Sequence, residues 1–128
     1  MEAHLITHSD LHFEHILWRK EIDFWKDEIK SFQKRLDELV SRWTDEMVLA
    51  ELGQYQNNFT IHNNKIEEFK EAIDAHEHNI SKQYESQHEA MDRVYVERHK
   101  QLRTDLETQR HIYNDLKKRF FDFLSKYM

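Results

Sequence analysis

The chain has no cysteine, no proline and a single glycine, Gly53, in 128 residues. Without cysteine there is no disulfide, no thiolate nucleophile, no Cys-containing zinc site and no all-Cys iron–sulfur cluster. The shortage of proline and glycine removes the turn chemistry that a sheet protein needs. With charged residues at 34%, it predicts long solvated helices. Basic residues are in deficit too: 19 Lys and Arg against 25 Asp and Glu leave a formal net charge of -6. That argues against general nucleic-acid binding, which needs clustered cations on the phosphates. No stretch approaches the roughly 18 uncharged apolar residues of a membrane span, and the segment from Met1 to His8 lacks the basic and apolar regions of a secretory signal. The expectation is one cytoplasmic domain over 1–128, with neither nucleic acid nor membrane as partner.

What is present is periodicity. Leu11, His15, Trp18, Ile22, Trp25, Ile29, Phe32, Leu36, Leu39 and Trp43 alternate in steps of four and three, the inward stripe of a bundle helix. Ser9 and Asp10 are N-cap candidates for it. A second stripe, opened by Thr44 as cap, runs Val48, Leu52, Tyr55, Phe59, His62, Ile66, Phe69, Ile73, His76 and Ile80. It crosses Gly53 in phase, at a cost of about 1 kcal/mol against alanine. A third runs from Tyr84 through His88, Met91, Tyr95, His99, Leu102, Leu106, Gln109, Tyr113, Leu116, Phe120 and Phe123 to Tyr127. The phase shift between Ile80 and His88 predicts a turn over 79–82, with a stutter in one continuous helix as the alternative. The chain therefore reads as all-α: an elongated antiparallel up-down-up three-helix bundle, coiled-coil-like, with helices at about 9–42, 45–80 and 83–126.

Ten histidines are the chemical peculiarity. If the first turn centres near residue 44, residues of helices one and two whose numbers sum to about 88 lie level; a second turn near 82 gives about 164 for helices two and three. His12 then faces His76, and His76 faces His88, with His8 and His15 one turn away. Glu85 and His88 have the Glu-x-x-His spacing that carboxylate-bridged di-metal bundles use to aim two ligands inward. Ferritin-like and hemerythrin-like bundles share that motif, but ferritin-type sites need two such segments and further inward glutamates. Only this one is present, so no family is assigned. The predicted metal ligands are His8, His12, His15, His76, Glu85 and His88, for a divalent transition metal such as zinc or iron. His62 and His99 read as a register-fixing polar layer, and His78 and His111 as solvated.

No Gly-rich phosphate loop, G-x-S-x-G elbow or H-E-x-x-H motif occurs. Arg and Lys residues in helix three are interrupted by acids, as on a solvated face. The leading reading is a non-enzymatic interaction or scaffold module without cofactor, meeting a protein partner or a second copy through the apolar C-terminal end: Phe120, Phe121, Phe123, Leu124 and Tyr127. The alternative is a metal-binding bundle in storage, sensing or oxidative chemistry.

Overall fold

The computed structural model describes residues 6–86 and 90–127. They form three helices, α1 (His8–Arg42), α2 (Glu46–Ser86) and α3 (Arg93–Tyr127), with α2 packed against both neighbours. At 1.5 Å per residue they are about 50 to 60 Å long. This is the all-α up-down-up bundle that the stripes predict.

Local chemistry fixes the helix starts. Thr7, before Ser9, caps α1 in a reciprocal capping box with Asp10. At the first turn Asp45, one residue past Thr44, is the cap of α2. Its Oδ1 accepts the Met47 and Val48 backbone N–H groups at 2.9 and 3.2 Å. Gly53 lies inside α2 on an exposed face, in ordinary helical conformation.

The second connection departs from expectation. Nothing in 79–82 stops a helix, and α2 continues to Ser86, while α3 starts at Arg93 rather than at 83. Gln83 organises the link: its amide donates to the Ala90 carbonyl at 3.2 Å and accepts the Asp92 N–H at 3.0 Å. The Met91 N–H reaches back to the Ile6 carbonyl at 2.9 Å. Tyr84 thus belongs to α2 and Met91 to the connection. His76 faces His99, eleven positions along the sequence from the expected His88.

The core has two parts. A long cluster runs from Trp18, Ile73 and Leu102 to Phe120 and Phe123. A short one joins Leu11, Ile80 and Met91, with Ile6, Tyr95 and Val96 against it. Between them, one buried histidine comes from each helix: His15, His76 and His99. At the far end Phe32, Phe59 and Phe120 pack with ring centroids 5.0 to 5.4 Å apart. There the Trp43 indole N–H donates to the Tyr127 carbonyl at 3.2 Å. Phe120 and Phe123 are buried inside this bundle, and Phe121 is half exposed.

The parallel pair α1 and α3 is joined by a ladder of ion pairs. Glu14 pairs with Arg103, Glu21 with Arg110 and Glu28 with Lys117, each across 89 positions and each one heptad after the last. Side chains on the core flank of α3 reach two of the three glutamates: His99 Nε2 meets Glu14 at 2.9 Å, and the Tyr113 hydroxyl donates to Glu28 at 3.0 Å.

Candidate metal centre

His15, His76 and His99 occupy stripe positions, where each helix must turn a side chain inward. Each is at most 3% exposed. Their ring centroids lie 5.0 to 5.5 Å apart, and one ligand nitrogen of each lies within 4.8 Å of the other two. Trp18 stacks on His99 at 4.7 Å from the long-core side.

The outer nitrogens are all engaged by acceptors. His15 Nδ1 lies 3.3 Å from Glu77 Oε1, His76 Nε2 2.9 Å from the Tyr95 carbonyl, and His99 Nε2 2.9 Å from Glu14 Oε1. An ionised carboxylate and a carbonyl can only accept, so these contacts assign the proton of each neutral ring to its outer nitrogen. Three lone pairs are left facing inward: His15 Nε2, His76 Nδ1 and His99 Nδ1. The first two lie 3.2 Å apart, and His99 Nδ1 is buried with no hydrogen-bond partner.

A further proton is a poor solution. Burial pushes His15 down to about 4 and holds His76 and His99 below the ordinary histidine range, against the raising effect of Tyr95 and Glu14 respectively. At neutral pH the layer is therefore three uncharged imidazoles whose lone pairs converge in an apolar surround. Such a site suits a cation. Zinc–nitrogen bonds near 2.0–2.1 Å put tetrahedral ligand atoms about 3.3 Å apart, close to the His15–His76 separation. Outer N–H groups held by a carboxylate or carbonyl fix the orientation and tautomer of a ring, as metal-bound imidazoles require.

A second group adjoins the first. His8, His12 and Glu77 also bring one ligand atom each within 4.8 Å of one another. His12 Nδ1 makes a short contact to Glu77 Oε1, the oxygen that also meets His15. Burial would raise the Glu77 carboxyl, but hydrogen bonds from His12 and His15 bring it below the ordinary range. Glu14 is likewise raised by burial and lowered by Arg103 and His99, with lowering the net result.

Of the six predicted ligands, the structure brings His15 and His76 into the buried layer and His8 and His12 into the outer group. Glu85 is exposed near the end of α2, and His88 lies outside the described residues. His99 leaves its expected pairing with His62 and becomes the third histidine of the layer. His62 instead meets Gln109 and stacks on Tyr113 at 4.4 Å. His78 and His111 are exposed, as expected. Glu77, a carboxylate beside His76 in sequence, is not among the predicted ligands, although its number and that of His12 satisfy the first-turn pairing rule.

No known protein family, curated protein or solved structure matches the chain. No helix among the described residues is long and apolar enough to cross a membrane.

Proposed function

We propose that this protein is a metal-binding helical bundle in which His15, His76 and His99 hold one divalent transition metal, zinc or iron. The observation carrying this reading is the convergence of three inward lone pairs whose outer N–H groups are all committed to acceptors. Glu77, which has only histidines as ion-pair partners, supplies a carboxylate at the outer edge of the layer, and Glu14 a second that it shares with Arg103. Apolar residues cover the layer from both core clusters, which favours storage or sensing over chemistry on a substrate.

Elemental analysis of untagged protein purified without added metal is the test. At least one equivalent per chain is expected, with one equivalent fewer in His76→Ala than in the wild type and no loss in His62→Ala. A free ion at a thousandfold its Kd would stabilise the fold by about 4 kcal/mol. Substoichiometric content for every transition metal in the wild type would sink the reading.

A second reading, an interaction module, is favoured by an apolar stripe on the outer face of α1, where Phe13, Leu17 and Phe24 are 62%, 47% and 58% exposed. Sedimentation equilibrium is expected to give a concentration-dependent mass for self-association; a constant monomer mass removes that form of it.

A further inference from the structure

We propose that His8, His12 and Glu77 form a second, solvent-facing divalent-cation site that loads the buried one. The proposal rests on the reading of the buried layer as a metal centre. The two histidines are one turn apart on α1, so both side chains leave the same face. Their rings lie nearly parallel, 5.6 Å apart. His8 Nε2 is 3.7 Å from Glu77 Oε2, and His12 Nδ1 contacts the other carboxylate oxygen. Two imidazoles and one carboxylate are a donor set that zinc, iron and nickel accept. Ser81 Oγ adds a polar group, 3.1 Å from His8 Nε2 and donating to Glu77 Oε2 at 3.2 Å.

Charge points the same way. Glu77 is only 17% exposed. Among the described residues no lysine or arginine pairs with it; its ion-pair partners are His8, His12 and His15. Most other cross-helix acids have a cation: Glu14 and Glu21 have arginines, Glu28 a lysine. A partly buried carboxylate met by three imidazoles and a hydroxyl, with no lysine or arginine, gains from a cation among them.

Position supplies the loading role. The His12 side chain is 48% exposed, whereas that of His15 is 1% exposed, so a hydrated ion meets the outer group first. Glu77 Oε1 contacts both His12 and His15 Nδ1. An ion held there sits directly outside the buried layer, on a carboxylate that already touches it.

The experiment uses metal-free, untagged, full-length chain titrated with zinc, with a chromogenic zinc chelator reporting bound equivalents and the rate of uptake. Wild type is expected to take two equivalents in distinguishable steps. The His8→Ala/His12→Ala variant is expected to take one and to load it about tenfold more slowly, with helicity unchanged by circular dichroism. His12→Ala alone is the fallback if the double variant folds poorly. Two equivalents in the variant, or one equivalent taken up at the wild-type rate, overturns the proposal. A single equivalent in both wild type and variant does so too, and leaves the buried centre standing. Failure of the buried centre itself looks different: one equivalent in the wild type, none in the outer-site variant and one in His76→Ala, which removes anything to be loaded.

Discussion

Two polar layers interrupt the same apolar core, and they are built oppositely. In the His15–His76–His99 layer every ring has an outer acceptor, so the protons point away from the bundle axis and the lone pairs toward it. In the His62 layer one imidazole meets one neutral amide, from Gln109, beneath the rings of Trp25 and Tyr113. No carboxylate among the described residues contacts His62, and its Nε2 is left without a partner. Burial alone accounts for its shift, whereas the His15 environment adds a carboxylate that opposes burial. Both layers bury histidine, but only the first gives every ring a carboxylate or carbonyl acceptor at its outer nitrogen.

Acid should separate the two layers most forcefully. His62 is pushed down to about 4 from an ordinary value of 6.5. Between those values the unfolded chain binds the proton that folded His62 refuses, so stability is full above the upper value and falls as pH drops through the window. His62 alone should contribute on the order of 3 kcal/mol of that loss by pH 4. In metal-free protein the His62→Leu/Gln109→Leu variant should lack this part of the slope in urea melts at a series of pH values. It should be neutral or more stable at pH 7 and should bind zinc as the wild type does. A variant as acid-sensitive as wild type, or one that loses zinc, would dissolve the distinction between the layers.

A smaller difference is expected between two rungs of the ion-pair ladder. Glu14 and Glu21 are equivalent rungs of the ion-pair ladder, but only Glu14 also holds a layer histidine. Glu14→Gln should weaken zinc binding at least about tenfold by loosening the His99 tautomer. Glu21→Gln should leave the zinc Kd unchanged and alter stability by under about 1 kcal/mol. Equal zinc affinities in competition titrations would reduce Glu14 to a rung like the others.

Much of this arrangement was legible in the sequence, because apolar period and cap chemistry act locally. The α1 stripe, the turn near residue 44 and the passage of α2 through Gly53 all follow from it. His8, His12, His15 and His76 were therefore placed at the correct end. The register of the partner helix is the part that sequence misaligns, because eleven residues make just over three whole turns. Sliding α3 by that amount keeps every stripe position facing inward, so hydrophobic pattern is blind to the error. Only the turn itself could have fixed the register, and its signals were Asp92 as a helix-start residue and Gln83 as a clamp. Glu77 is legible only as a carboxylate beside His76: it is off the stripe, and hydrophobic period marks what is buried, not what reaches in from the rim.

The ladder between α1 and α3 closes a loop of constraints. The first turn sets α1 against α2, the Gln83-clamped link sets α2 against α3, and the rungs set α3 against α1. Any two of these relations dictate the third. The rod therefore cannot grow or shrink in one helix alone. A heptad added to α2 by itself would put the other two relations in conflict, and the bundle accommodates length changes only as matched insertions, one heptad in each of the three helices at the same level.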